Sequence, residues 1–491
     1  MKKKSPHPDW ALACKRKGTE LRHLNGKYYL YEIKSEWCPE KKRAKKITGK
    51  LLGSITEIDG FIESDKNRLR KQQMKVERIQ VKESGITTAI DVLCDDSIKA
   101  LKNHFPDSWQ RLICLAYGRL IYQSPLKNMA FHYSSSYLSE QYPSVDLSPK
   151  SLSYFLRELG EDRQRIVDFC RSFKITEDCI LFDGTDIFSR SEQMELPKFS
   201  RSKHGTYDDM MNLMCIFSVK LQSPVYYRLL PGNIKDVSAF KLCLQESGVK
   251  DAIIIMDKGF ASQSNIEELE KNGLKFIIPL HRNSSLINYE KIESGNKRQF
   301  DGYFKHEGRH IWHYTIPVDA ANQRFNKSVI VFLDEELRSR EQRDYLERIE
   351  NSVVDYSIDK FYEKQYRLGT IAIINNTGKP PCAVFADYKT RGDVETMIDA
   401  LKNIVEADRT YMQNEQALEG WMFINLIALK WYYTILNLLK KKELNKKYSP
   451  MDFLLFLCEV KKVKINNLWY DAEITKNTRE LLQALNILPI T

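Results

Sequence analysis

Two short apolar runs, each followed at once by an aspartate, constrain the fold of this chain more than any other feature. Residues 179–182 are Cys-Ile-Leu-Phe and lead into Asp183, and residues 252–256 are Ala-Ile-Ile-Ile-Met and lead into Asp257. Runs this short and this apolar are typical of strands buried in a sheet. A glycine follows each aspartate within two residues, which favours a turn. We therefore predict an α/β fold in which two buried strands each present an aspartate at the carboxyl edge of a sheet.

A later stretch, residues 387–402, is predicted to be a helix with an unusual polar stripe. At about 100° per residue, Tyr388, Arg391, Glu395 and Lys402 fall within roughly 60° of one another. The apolar residues of the stretch occupy a separate arc, so the helix can pack on a core and still present these four side chains. The alternative is an ordinary solvated face, which usually carries interchangeable Glu/Lys pairs.

Taken together, the three acids Asp183, Asp257 and Glu395 suggest phosphodiester chemistry. Carboxylate oxygens are the ligands that Mg²⁺ prefers, and two such ions can clamp both oxygens of an in-line phosphoryl displacement. The alternative is that the two aspartates cap turns and that the helical glutamate is unrelated to them. Composition and periodicity alone do not separate these interpretations.

The spacing of the polar stripe resembles a family signature. Tyr388, Arg391, Glu395 and Lys402 match the pattern Y-x2-R-x3-E-x6-K of bacterial insertion-sequence DDE transposases of the IS-four type. The resemblance extends from about Glu177 to Lys402. One departure is Lys258, which stands where many relatives have Arg and keeps the charge.

This resemblance implies a function, a cofactor and partners. It implies a ribonuclease-H-like core interrupted by a mostly β insertion, with Asp183, Asp257 and Glu395 as catalytic residues that bind Mg²⁺, or Mn²⁺ in its place. It implies that Tyr388, Arg391 and Lys402 are the remaining site residues and contact DNA. The chain is expected to be a Mg²⁺-dependent DNA transposase whose activity is cut-and-paste transposition. Its expected partners are double-stranded DNA, both element ends and target, and a second copy of the chain in a homodimer.

Two other functions remain open at this stage. A ribonuclease-H-like nuclease that cleaves without strand transfer would explain the three acids, but it leaves the complete signature and the basic N-terminus as coincidences. A domesticated DNA-binding protein would be favoured by the loss of an acid. All three acids are present.

The positive charge of the chain is concentrated at its N-terminus. The net charge is +11. Residues 1–50 contain 15 Lys and Arg against 5 Asp and Glu, and the densest run includes Lys41, Lys42, Arg43, Lys45 and Lys46. Before that run, Asn25-Gly26 predicts a tight turn followed by a strand. We predict a basic β module that binds DNA ends; the alternative is a basic tail that only aids solubility.

The remaining patterns divide the chain of 491 residues into six parts. These are the basic N-terminal DNA-binding module 1–85, a helical domain 86–176, the first part of the catalytic core 177–280, a β-rich insertion 281–376, the second part of the core 377–440 and a C-terminal helical tail 441–491. The insertion is expected to contain a hairpin at 302–316, further strands and one charged helix. The loop 190–209 carries Lys203 and His204, and His204 is expected to be solvated or to contact a phosphate rather than to bind a metal.

The ten cysteines are scattered singly without a C-x2-C pair, which indicates reduced thiols and a cytoplasmic location. No apolar run approaches 18 residues and no secretory segment follows the N-terminal lysines, so no membrane span is expected. The most apolar stretch, 418–439, is predicted to be a buried core helix because it contains Glu419, Asn425 and Lys430.

Overall fold

The computed structural model describes residues 5–38, 43–72, 79–173, 177–201, 207–233, 236–318 and 327–487. The chain forms two compact units, one of Met1–Gln80 with Lys464–Tyr470 and one of Val81–Val463 with Asp471–Thr491. Lys41, Lys42, Lys203 and His204, which the sequence singled out, lie outside the described residues.

The first unit is built on an antiparallel four-stranded sheet in the order β1-β2-β3-β4. Asn25 and Gly26 both have positive φ, 51° and 77°, as the tight turn between β1 and β2 requires. Leu21, Leu30 and Ile55 form its small core. The predicted turn and strand are confirmed. The elements are α1 (Asp9–Ala13), β1 (Thr19–Leu24), β2 (Lys27–Cys38), β3 (Arg43–Thr56), β4 (Gly60–Glu63) and α2 (Asp65–Gln72).

Helices follow in the segment 86–176, where the sequence predicts a helical domain. Their apolar faces form part of the main core of the second unit. The elements are β5 (Ile79–Glu83), α3 (Gly85–Leu93), α4 (Asp95–His104), α5 (Trp109–Tyr122), α6 (Met129–Ser135), α7 (Leu138–Gln141), α8 (Pro149–Glu161) and α9 (Arg163–Arg171).

An 11-stranded mixed sheet dominates the second unit, which confirms the predicted α/β class. Its order is β12-β13-β14-β15-β11-β10-β6-β8-β7, with β9 also beside β8 and β16 beside β6. Strand β10 is parallel to both β6 and β11. The elements of its first half are β6 (Cys179–Ser189), β7 (Lys198–Arg201), β8 (Tyr207–Ser218), β9 (Ser223–Pro231), α10 (Asp236–Ser247), β10 (Ile253–Met256), α11 (Gln263–Lys271) and β11 (Lys275–Pro279).

The described residues of the segment 281–376 contribute four strands to this same sheet. Glu307 and Gly308 have positive φ, 47° and 86°, at the turn of the predicted hairpin β12–β13, which is confirmed. Strand β15 pairs with β11, so the segment continues the sheet. Its described residues form three α-helices where one was predicted, because two of them are too short for a clear period. The elements are α12 (Glu290–Glu293), β12 (Gly302–His306), β13 (Arg309–Pro317), β14 (Ser328–Asp334), α13 (Glu335–Glu350), α14 (Ile358–Lys364) and β15 (Thr370–Asn375).

The last part of the chain is organised around one long helix, α17. Its length and apolar composition would suffice to cross a membrane, but most of its apolar window is buried inside the protein, as in a core helix. Gly160 of α8 and Gly420 of α17 let the two helix backbones meet, since a Cβ at Gly420 would lie 2.4 Å from the carbonyl oxygen of Leu156. The elements are α15 (Pro381–Lys389), α16 (Gly392–Asn403), β16 (Arg409–Thr410), α17 (Glu415–Lys441), α18 (Pro450–Cys458), β17 (Lys461–Ile465), β18 (Leu468–Asp471) and α19 (Lys476–Leu485).

The prediction of a purely helical tail at 441–491 is wrong. Strands β17 and β18 form a hairpin between helices α18 and α19. Asn466 and Asn467 have φ of 49° and 74° at its turn, a conformation that asparagine tolerates better than most residues.

Candidate active site

The register of two parallel strands brings Asp183 and Asp257 side by side. Met256 is paired with Phe182, so the next residues along β10 and β6 are the two aspartates. Residues at matching positions of neighbouring parallel strands point to the same face of a sheet. Both aspartates line one cavity of about 110 Å³, together with Thr185 and Asn212. The two carboxylates therefore share one small space.

The prediction that Asp183 ends its strand is wrong, whereas Asp257 does follow the last residue of β10. Strand β6 continues beyond Asp183 because β8 pairs along its length and β16 pairs with its end. Gly184 lies inside the strand opposite Met214, and a Cβ there would lie 2.6 Å from the Met214 Sδ. This glycine permits close packing and makes no turn.

The predicted helix over residues 387–402 is interrupted, and this detail of the prediction is wrong. Helix α15 ends at Lys389 and α16 begins at Gly392. Between them the amide of Arg391 donates to the Tyr388 carbonyl three residues back, which tightens the chain. The Thr390 hydroxyl donates to the Asp387 carbonyl at 2.6 Å, and Gly392 is a weak helix former, so both residues favour the break. Thr390 and Arg391 nevertheless keep right-handed helical dihedrals.

Arg391 joins the signature segment to the aspartates. Its Nη1 lies 3.2 Å from Asp257 Oδ1, and its Nη2 donates to Glu395 Oε1. Burial favours the neutral form of the guanidinium, but the negative charges of Asp257, Glu395 and Asp183 outweigh it and raise the pKa of Arg391. Burial also raises the pKa of Tyr388, although the Arg391 charge beside the phenol opposes this. Three acids, one guanidinium and one phenol thus form a single electrostatic cluster.

Lys402 is the one predicted site residue outside this cluster. It lies half-buried near the end of α16, about two turns or about 10 Å along the axis from Glu395. Its ammonium makes no ion pair with a side chain of the described residues. The structure therefore brings together Asp183, Asp257, Glu395, Arg391 and Tyr388, and leaves Lys402 to one side.

A second cavity, about 610 Å³ in volume, adjoins this cluster and adds basic residues that the sequence analysis missed. Its lining includes Asp257, Lys258, His281, Arg282 and Arg391. His281 and Arg282 follow β11, which is parallel to β10, so they leave the sheet at the edge where Asp257 does. The sequence carried a signal for His281 and Arg282, because they follow an apolar strand-like run as Asp257 does. Only acids were sought at the ends of such runs.

The donor set of the cluster suits a hard divalent cation, because all three acids offer oxygen ligands. The guanidinium of Arg391 contacts two of these acids, Asp257 and Glu395. Within the described ranges, no three His, Cys, Asp or Glu side chains are close enough to hold a metal ion as they stand. A cation that used all three acids would have to displace Arg391 from its carboxylates.

A family model described as a transposase DDE domain matches residues 174–431, just over half of the chain. This range contains all three acids. No curated protein matches the chain.

Three similar solved structures are transposases at low identity. A piggyBac transposase synaptic complex with hairpin DNA is 11% identical, with 83% of this chain and 86% of that chain covered and a TM-score of 0.41. A Mos1 transposase paired-end complex with the left transposon end is 12% identical, with 31% and 53% covered and a TM-score of 0.15. The Mos1 mariner paired-end complex with Mn is 15% identical, with 32% and 58% covered and a TM-score of 0.15. Likenesses at this level do not bear on the site.

Proposed function

Because the chain belongs to the family of transposases with a DDE domain, we propose that it is a transposase of the IS-four type that cuts and joins DNA at the ends of an insertion sequence. The observation that carries the proposal is the arrangement of Asp183 and Asp257 on neighbouring strands and Glu395 on α16 around one guanidinium. The spacing of Tyr388, Arg391, Glu395 and Lys402 supports the assignment to this type.

In the proposed reaction, water first attacks a phosphodiester at the element end and frees a 3′-hydroxyl. That hydroxyl then attacks a phosphodiester of the target DNA, forms the new bond and releases the target's own 3′-oxygen. Asp183, Asp257 and Glu395 would hold Mg²⁺, or Mn²⁺ in its place. When bound, such ions activate the attacking oxygen and stabilise charge on the phosphate.

The basic residues of the segment would position the DNA. Arg391 lies beside the acids, so its guanidinium can move from the carboxylates to a phosphate oxygen near the cut. Tyr388, next to it, would donate its phenolic proton to the same phosphate group. Lys402 lies too far from the acids for either task and is better placed for a neighbouring phosphate.

We also propose a ribonuclease-H-like core, formed by residues 177–280 and 377–440. Apart from the short strand β7 between β6 and β8, strand β6, the hairpin β8–β9, helix α10 and strand β10 follow one another in the order of that core. Residues 281–376 would be its insertion, although β15 of this segment pairs with β11 and so extends the core sheet. Residues 1–85 would bind DNA, residues 86–176 would serve as a scaffold, and residues 441–491 would be a dimerisation or DNA-contacting tail.

The proposed partner is double-stranded DNA at the element ends and at the target. The net charge of +11 supports a polyanionic partner. Because two ends must be held together for the element to move as a unit, the proposed assembly is a homodimer on DNA. The proposed location is the cytoplasm.

The test is incubation of the full chain with the DNA that flanks its own gene, in the presence of Mg²⁺ or Mn²⁺. Nicks at the element ends followed by products joined to target DNA are the expected result. Degradation without any joined product would contradict the proposal and favour a nuclease with the same acids.

A further inference from the structure

Strands β2 and β3 continue beyond their neighbours as a two-stranded ribbon. The pairing of β1 with β2 ends at Glu32, and β4 pairs with β3 only from Gly53 onward. From the Lys34–Ile47 pair to the Cys38–Arg43 pair, the two strands pair only with each other among the described residues. We call these residues, 34–38 and 43–47, the ribbon. None of its described side chains is buried, so the core of the unit does not dictate its sequence.

The two faces of the ribbon differ in charge. Paired residues of an antiparallel ribbon share a face, and successive residues alternate between faces. We call the face with Lys34, Arg43 and Lys45 the basic face; it also carries Glu36 and Ile47. The other face carries Ser35, Trp37, Ala44 and Lys46.

Among the lysines of the ribbon in the described structure, only Lys46 on the opposite face has an acidic ion-pair partner. Lys46 Nζ lies 3.6 Å from Glu20 Oε1 on β1, which also pairs with Arg22. Lys34, Arg43 and Lys45 form no ion pair with a side chain that the structure describes. The basic face therefore presents three available cations against one carboxylate.

We propose that the basic face of the ribbon enters the major groove of duplex DNA at the element end. This inference rests on the proposed function and adds the element, the face and the groove. Two paired strands lie about 4.8 Å apart, and the major groove, about 12 Å wide, admits such a ribbon without distortion, whereas the minor groove, about 6 Å wide, would have to be widened. Five residue pairs at about 3.3 Å each span about 17 Å, or about five base pairs.

Charge decides between DNA and a second copy of the chain as the occupant. An exposed ribbon can also pair with another strand edge, but lysines on such an edge oppose association. Two identical ribbons would bring Lys34, Arg43 and Lys45 toward the same three cations. Phosphates on both sides of a major groove instead offer each cation an opposite charge.

The experiment compares adjacent lysines on opposite faces. The full chain, as Lys45→Ala, Lys34→Ala or the matched Lys46→Ala, is titrated against a duplex from the DNA flanking its gene at graded salt. Each basic-face variant should lower the slope of log K against log salt by about 0.9, because one phosphate contact is lost. Lys46→Ala should change the slope by less than about half of that, since Lys46 lies on the face turned away from the groove and pairs with Glu20. Equal thermal midpoints verify that these exposed substitutions leave the fold intact.

Methylation interference identifies the groove. Guanine N7 is exposed in the major groove and adenine N3 in the minor groove. Methylation of N7 within about five base pairs should weaken binding by the wild-type chain, and this effect should diminish in Lys45→Ala. Interference confined to adenine N3 would contradict the proposal.

Two further results would overturn the ribbon's role. One is an equal effect of Lys45→Ala and Lys46→Ala on the salt slope. The other is a molar mass in light scattering that differs between Lys45→Ala and the wild-type chain while the salt slope of DNA binding does not. That result would assign the ribbon to self-association. If the wild-type chain cuts and joins the flanking DNA under these outcomes, only the ribbon proposal fails. If it neither cuts nor joins, the proposed function fails.

Discussion

Replacing Arg391 by glutamine should make the acidic cluster bind divalent cations more tightly. The guanidinium contacts Asp257 and Glu395, whose side chains are 37% and 55% exposed. Ion pairs with this much exposure contribute about 0.2–1 kcal/mol each. A cation that takes both carboxylates must give up both pairs, about 0.4–2 kcal/mol in total. Arg391→Gln removes that cost, so the affinity for Mn²⁺ or Mg²⁺ should rise by about 2-fold to about 30-fold.

The assay uses the protein without DNA, so any phosphate contact of Arg391 does not enter. Titration calorimetry with Mn²⁺ gives the affinity, and the rise of the thermal midpoint with Mn²⁺ gives an independent measure. Lys402→Ala is the matched control, since it removes a cation from α16 that forms no ion pair with the acids in the described structure. Its Mn²⁺ affinity should equal that of the wild-type chain.

Unchanged or weaker Mn²⁺ binding by Arg391→Gln would refute the reasoning. The guanidinium would then not compete with the cation, and the acids would have to bind it through a different arrangement. DNA cleavage by the same variant should fall in either case, because the proposed phosphate contact is lost.

Three further predictions concern the helix end, the interior and the helix crossing. Lys402→Ala should lower the salt slope of DNA binding by about 0.9, measured by mobility shift at graded salt, and an unchanged slope would contradict the phosphate role. Burial raises the pKa of Glu83 to about 7 from an ordinary 4.5, even though the Tyr117 hydroxyl donates to it at 2.6 Å. The contribution of Glu83 to the free energy of unfolding is therefore fully present below about pH 4.5. As the pH rises from there through about 7, the free energy of unfolding falls by up to about 3 kcal/mol. Urea unfolding of Glu83→Gln should lack this decline, and an identical pH profile would contradict the assignment. Gly420→Ala should destabilise the chain by about 1–3 kcal/mol, because its Cβ would meet the Leu156 carbonyl, whereas Gly392→Ala, with no neighbour within 4 Å, should not; equal thermal midpoints would contradict this.

Local patterns were sufficient where a short segment determines its own conformation. The turn at Asn25-Gly26 was predicted because few residues accept positive φ, and the hairpin at 302–316 was predicted from its own short segment. The end of β10 at Asp257 was predicted from the length of its apolar run. The hairpin at Asn466-Asn467 carried a similar signal but was missed, because the basic residues around it were assigned to a helical tail.

Non-local pairing determined the features that were not predicted. Asp183 lies within β6 because β8 and β16 extend that strand, and both pairings involve residues distant in sequence. The contact between Arg391 and Asp257 likewise joins two segments that no local pattern relates. The sequence identified both residues of this contact, but only the fold shows that the guanidinium lies between two of the acids. Their roles with metal and DNA stay predictions.

The most direct test of the central claim is the cutting and joining of gene-flanking DNA by Asp183→Asn, Asp257→Asn and Glu395→Gln. Each change removes one negative charge with little change of shape, so each variant should bind the DNA yet form no nicked or joined product. Asp399→Asn is the matched control, because Asp399 lies one turn after Glu395 on α16 and accepts a hydrogen bond at 2.6 Å from Asn403. It should cut and join normally. Metal-dependent nicking by any of the three acid variants would contradict the account.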